Sequence, residues 1–266
     1  MGVKGLNNLL RSRAVFDSER MSLHDWSPGQ EIYVDLLSCF YWRILKSLRS
    51  ENFAENIANW LSVYFSRVRG RIVFVIDGRR SHQKHLAHSI RDKKMESALD
   101  SLQWILDDVE RKDRAFKSSD HRRIRKFMTR SATITYHQRI LICHALIEKN
   151  FKAVVCNGEA DLYVAQSGCA VVLARDSDFF CHASVRTVLR PSFQKNQLMV
   201  QPIDKDRVLE YLEINEPVLS VLAIVSGNDY SNNVPDNGVE RNLDRLRFDP
   251  NYTLLFTLIV DYGTRA

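Results

Sequence analysis

Arg71–Asp77 reads RIVFVID, five apolar residues held between an arginine and an aspartate. The run is too short for a buried helix and lacks the polar alternation of a half-wetted strand, so it reads as a strand covered on both faces. Working outward, Ile32–Asp35 (IYVD) precedes it, and Phe151–Cys156, Ala170–Arg175 and Val185–Leu189 follow it as further strands. Helical patterns stand beside them: one from Asp35 to about Leu48, another over roughly Ala54–Val68. Alternating β and α units imply an α/β fold with a mostly parallel central sheet flanked by helices on both faces. Residues 81–149 hold no convincing strand and are strongly charged in the middle, so they read as a helical insertion standing off the sheet. Beyond Asp204 the pattern is helical to the end. One domain over 1–266 is expected, its parts being 1–80, the insertion 81–149, 150–230 and 231–266.

The chain has 266 residues, 45% hydrophobic and 26% charged, which is ordinary globular composition and excludes disordered, collagen-like and coiled-coil classes. No apolar run approaches the roughly 20 residues that span a bilayer. The five cysteines are odd in number and mostly lie in apolar runs, so reduced core thiols are expected rather than a disulfide framework or a zinc site. The N-terminus lacks a secretory apolar core, and Leu6 stands where a myristoylation signal needs Ser or Thr. The expected setting is intracellular, and the expected state a monomer.

Net charge is +6, but it is concentrated. Between Arg111 and Arg130 nine Lys/Arg face only Asp113 and Asp120, and between Arg79 and Lys94 six face only Asp92. Two such runs close together point to a polyanion, because cations displace condensed counterions from phosphate. Arg79, Arg122, Arg123, Lys126 and Arg130 are candidate nucleic-acid contacts.

Carboxylates gather where strands end. Asp35 closes IYVD, Asp77 closes RIVFVID, Glu159 and Asp161 follow the next strand, Asp176 and Asp178 the one after, and Asp229 ends VLAIVSGND. In an open parallel sheet those ends face one crevice, where ligands bind. A lone Asp after a strand is usually a turn former or a helix cap. Seven together repel one another and need a cation among them. All-oxygen donors select hard ions, Mg²⁺ or Mn²⁺, and two such ions about 3.5–4 Å apart suit phosphodiester hydrolysis.

The opening MGVKGLNNLL, with Gly2 and Gly5, resembles that of flap endonucleases and XPG-type structure-specific nucleases of the PIN-like class. VDLLS, FVIDGRR, GEADLYVAQ, ARDSDFF and SGNDY follow in that family's order and rough spacing, over nearly the whole chain. The resemblance implies a divalent-metal-dependent nuclease acting at 5′ flaps, branches or free 5′ ends of DNA, with RNA left open. It places Asp35, Asp77, Glu159 and Asp161 mainly around one ion and Asp176, Asp178 and Asp229 around a second, with Asp178 essential for catalysis. It makes 81–149 a helical arch on which Lys84 and Arg91, seven residues apart, steer the scissile phosphate; His88 shares their face. It further implies that Gly2 lies near the active centre, that Tyr41 stacks a template base, and that the setting is nuclear or at sites of replication and repair.

The family pattern breaks after Asp229. Gly238 and Arg241 fit its glycine-rich duplex-gripping motif, but Asp236 stands at the first glycine and Asn237 replaces an apolar residue. A side chain there blocks close backbone approach, and an anion disfavours phosphate. The short sliding-clamp motif of many members is also missing. These departures suggest a divergent member near the asteroid-like branch, or a shortened chain. Two other readings compete: a non-catalytic nucleic-acid-binding protein of the same fold, and a phosphohydrolase using Asp176-Ser177-Asp178, which comes too late in the chain for that chemistry.

Overall fold

The computed structural model describes residues 3–12, 19–26, 29–80, 84–228 and 238–248. In chain order they form α1 (Leu6–Ser12), β1 (Met21–Ser22), β2 (Ile32–Asp35), α2 (Leu36–Ser47), α3 (Phe53–Phe65), a 3₁₀ turn (Ser66–Arg71) and β3 (Ile72–Ile76). Next come α4 (His85–Arg111), α5 (Ser118–Ser131), α6 (Tyr136–Glu148), β4 (Lys152–Val155), α7 (Ala160–Gln166), β5 (Val171–Leu173) and a second 3₁₀ turn (Asp178–Cys181). The last described elements are β6 (Thr187–Gln194), β7 (Gln197–Asp204), α8 (Lys205–Leu212), α9 (Glu216–Val225) and α10 (Val239–Phe248). Among the described residues no helix is long and apolar enough to cross a membrane.

The chain forms two compact units, Met1–Arg79 with Tyr136–Ala266, and Arg80–Thr135. The first holds a seven-stranded sheet in the order β1-β7-β6-β5-β2-β3-β4. Strands β4, β3, β2, β5 and β6 run parallel, as the sequence pattern implies. The edge differs from expectation: β6 runs on to Gln194 and folds back antiparallel into β7, with β1 pairing outside it. The connecting residues Lys195 and Asn196 both take positive φ, 46° and 61°, as a two-residue hairpin turn requires, and neither is glycine.

All five residues of β3 are buried, which is why its composition reads so cleanly. Successive side chains point to opposite faces. Val73 and Val75 join a core built with Leu6, Leu9 and Leu10 of α1, Leu219 and Leu222 of α9 and Leu243 of α10. Phe74 points the other way, edge-on to Phe65 of α3 and Phe151, with ring centroids 5.2 and 5.3 Å away. Burying such a phenylalanine stabilises by about 2–3 kcal/mol. All five cysteines are free thiols, four of them buried.

The inserted unit is shorter than 81–149, because α6 packs on α3 and β4 and belongs with the sheet. In the inserted unit α4 and α5 form a helical pair closed by charge. Arg114 Nη1 donates to Asp120 at 2.6 Å and Nη2 to Asp108 at 3.0 Å, while Lys112 and Arg111 also reach Asp108. Asp120 accepts the Lys117 N–H at 2.9 Å and so caps α5. These partners hold both carboxyls below their ordinary range, for Asp108 through Lys112 first and for Asp120 through Arg114 first. Three of the nine cations in 111–130 are thus committed to the turn.

Candidate active site

Because β2, β3, β4 and β5 are parallel, their carboxyl ends share one edge of the sheet. Asp35, the last residue of β2, stands opposite Val75 and caps α2 by accepting the Ser38 N–H at 3.0 Å. Asp77 follows β3 by one residue, and its Oδ1 accepts the N–H of Ala160, the first residue of α7, at 2.8 Å. Glu159 and Asp161 flank that residue. Asp176 and Asp178 follow β5, each with a buried Oδ1. Asp229 lies outside the described residues.

The described carboxylates act on one another. Burial first, then the charge of Asp77, raises the Asp35 carboxyl well above the ordinary carboxylate range, and Asp176 and Asp161 push it the same way. Burial also raises Asp77, opposed by the Ala160 N–H and Arg139 and reinforced by Glu159 and Asp161. Burial, with Asp77 and Asp35, drives the Cys156 thiol up to about 12. Burial, reinforced by Asp178, does the same to Cys181. Asp35, Asp77, Glu159, Asp161 and Asp176 therefore share a single electrostatic field, and mutual repulsion of this kind is relieved by a cation. The donor set is all oxygen, which fits a hard divalent ion. The spacing is looser than expected: among the described residues no group of three or more His, Cys, Asp or Glu side chains is placed to hold a metal ion.

One backbone contact brings two of these loops together. The Gly78 N–H donates to the Gly158 carbonyl at 2.6 Å, and the Cys156 N–H donates to Ile76 at 2.9 Å. A Cβ on Gly78 would lie 1.7 Å from the Cys156 carbonyl oxygen, so only glycine allows this approach. The segment carrying Glu159 is thereby held against the strand end carrying Asp77.

Three arginines absent from the sequence-derived site also stand here. Arg139 of α6 donates to the carbonyls of Asp77 at 3.2 Å and Gly78 at 2.8 Å. Arg190 of β6 donates to Asn7 at 2.6 Å and to the Arg175 carbonyl at 2.7 Å, and the Arg175 N–H donates to Ser38 at 2.9 Å. Burial, then the neighbouring Arg11, lowers the affinity of Arg190 for its proton, with Asp176 opposing and Arg175 reinforcing. Arg175 was legible as the one cation inside ARDSD; the contacts of Arg139 and Arg190 reach residues distant in sequence, and no local pattern marks them.

The candidate nucleic-acid contacts are distributed over both units. Tyr41 is half-buried on α2, edge-on to Trp42 at 5.4 Å, and Trp42 is 57% exposed. Arg79 is exposed, its guanidinium 5.3 Å from the Tyr136 ring centroid. Lys84 is buried just before α4, and Arg91 is half-buried within it. Arg122, Arg123, Lys126 and Arg130 are all exposed on α5. Gly238 and Arg241 are exposed at and just inside the start of α10, and a Cβ on Gly238 would touch nothing within 4 Å. Gly2, Asp236 and Asn237 lie outside the described residues.

Solved structures share this fold. The catalytic core of Rad2 in complex with DNA substrate matches with a TM-score of 0.59 and 17% identity, over 93% of this chain and 69% of that one. Human GEN1 in complex with Holliday junction DNA matches at 0.56 and 18%, over 96% of this chain and 57% of that one. Flap endonuclease-1 from Methanococcus jannaschii matches at 0.57 and 18%, over 96% and 79% respectively. No protein-family model and no curated protein sequence matches the chain. The architecture is that of the flap endonuclease and XPG-type PIN-like fold, with seven mostly parallel strands flanked by helices.

Proposed function

We propose that the chain is a divalent-metal-dependent, structure-specific nuclease that hydrolyses phosphodiesters at 5′ flaps, branches or free 5′ ends of DNA. The observation that carries the proposal is the shared field of the strand-end carboxylates, on a fold held in common with Rad2, GEN1 and flap endonuclease-1. Asp35, Asp77, Glu159 and Asp161 would hold one ion, and Asp176, Asp178 and Asp229 a second, Mg²⁺ or Mn²⁺. When bound, such a pair activates water and stabilises charge on the leaving oxygen. The chain itself positions the substrate. Lys84 and Arg91 neutralise the scissile phosphate, Arg175 and Arg190 with Arg11 hold a neighbouring one, Tyr41 stacks a base, and Gly78 fixes the spacing of the acidic loops. Products carry 5′-phosphate and 3′-hydroxyl ends. DNA is the proposed partner, encountered by a monomer where branched DNA arises in the nucleus.

A second reading, a nucleic-acid-binding protein of this fold with little or no catalysis, is favoured by the open spacing of the described carboxylates. End-labelled 5′-flap, nicked and single-stranded DNA, and RNA of the same sequence, incubated with Mg²⁺ or Mn²⁺, separate the two. Cleavage at the branch that Asp178→Ala abolishes supports the nuclease. Tight binding with no cleavage of any substrate supports the second reading.

A further inference from the structure

Helix α5 is charged beyond what its packing needs. Its only acid, Asp120, is taken up by Arg114 and the Lys117 N–H. Among the described residues, no ion pair takes up Arg122, Arg123, Lys126 or Arg130, in contrast to Arg111, Lys112 and Arg114. Arg122, Lys126 and Arg130 recur every four residues, which on a helix gives one stripe with a rise of about 6 Å per step. Beside it on α4 stands Trp104, 56% exposed, with the Arg123 guanidinium 5.3 Å from its ring centroid. An indole this exposed leaves much of its face open to solvent, and the guanidinium held against the ring by cation–π attraction fixes its orientation.

We propose that Trp104, backed by Arg123, is a base-stacking platform for single-stranded nucleic acid whose phosphates follow the Arg122, Lys126 and Arg130 stripe. The proposal rests on the nucleic-acid reading above and adds to it a selection by strand state. Cations alone bind any polyanion, duplex or acidic protein included. A flat aromatic face beside them takes only a base whose own face is open, which a duplex withholds. Arg123 is then a positioning residue for the ring rather than a phosphate ligand in its own right.

The test uses the full chain carrying Asp178→Asn, so that binding is read without turnover, and follows fluorescence anisotropy of a labelled single-stranded oligonucleotide and of the matching blunt duplex. Trp104→Ala weakens single-strand binding by roughly 5- to 100-fold, the range expected for losing one stacked base, and changes duplex binding less than about twofold. Trp104→Phe restores most of the loss. An oligonucleotide with abasic sites binds the parent as weakly as the ordinary strand binds Trp104→Ala. Salt dependence stays the same in Trp104→Ala and flattens in Arg122→Ala/Lys126→Ala. Equal losses for single strand and duplex, no loss for either, or polyglutamate binding as tightly as the oligonucleotide overturns the platform. A parent protein that binds no nucleic acid at any salt concentration overturns the nucleic-acid reading and the platform with it, an outcome distinct from a parent that binds and does not need Trp104.

Discussion

Gly78→Ala is the sharpest single perturbation of the site's architecture. The added methyl would sit 1.7 Å from the Cys156 carbonyl oxygen, 2.8 Å from its carbon and 3.1 Å from the Gly158 nitrogen, all rigid backbone. To reach ordinary contact near 3.5 Å, the loop must retreat by roughly 1.5–2 Å. That movement breaks the 2.6 Å hydrogen bond from Gly78 to Gly158. Overpacking of this kind costs about 1–3 kcal/mol and the lost hydrogen bond about 1 kcal/mol. A total near 2–4 kcal/mol lowers Tm by roughly 5–15 °C in a chain of this size. The same retreat carries Glu159 away from Asp77, and a displacement of about 1 Å in a catalytic constellation can cost on the order of 100-fold in rate. Gly158→Ala is the built-in control, since its Cβ would meet nothing within 4 Å; it stays within about 0.5 kcal/mol of the parent. Calorimetry of both variants decides the matter. Equal stability for Gly78→Ala and the parent, or equal losses in both variants, would refute the claimed backbone contact.

Other expectations are as concrete. Asp35→Asn keeps an acceptor for the Ser38 N–H but removes a buried charge, so without divalent metal it melts higher than the parent while cleavage is lost. Since the Asp35 and Asp77 carboxyls are raised in the fold, their destabilisation is fully present above the raised values and disappears as pH falls through them towards the ordinary value of 3.8. The Asn variant should show a shallower gain on acidification in a melting series from pH 7 to 4. Arg114→Ala leaves Asp108 and Asp120 without their shared partner, so circular dichroism should show a lower melting temperature, partly recovered in Arg114→Lys. Lys205, with 1% of its side chain exposed, donates to the His182 carbonyl at 2.9 Å and pairs with Glu216. Lys205→Ala should cost about 2–3 kcal/mol in urea unfolding and Lys205→Met less, because Met fills the space of the stem.

Much of this architecture could be read from sequence because burial leaves an unambiguous trace. Strand β3 is apolar at every position, and Asp35 and Asp77 stand where a parallel sheet ends its strands, so the acidic edge followed from topology. Strand β7 leaves no such trace, since its alternation runs through Gln201 and Pro202 and its turn, Lys195-Asn196, carries no glycine. Helix α6 reads as part of the insertion because its apolar residues mark no single face: Leu141 and Ile147 prove exposed while Ile142, Cys143, Ala145 and Leu146 are buried. Arg139 illustrates the deeper limit. Its value lies in reaching the carbonyls of Asp77 and Gly78, some 60 residues away, and only tertiary structure decides which carbonyl a long side chain meets. A third of the basic run at 111–130 shows the same limit: Arg111, Lys112 and Arg114 look like phosphate ligands in sequence and serve as a turn clasp in the fold.

Counting bound Mn²⁺ by electron paramagnetic resonance, as metal is titrated into the parent and into Asp77→Asn and Asp178→Asn, goes straight to whether the strand-end acids hold the proposed pair of divalent ions. Two ions per chain in the parent, with each substitution removing or weakening at least one, is the predicted result. Mn²⁺ remaining free in solution with the parent, or bound identically by all three proteins, would contradict it.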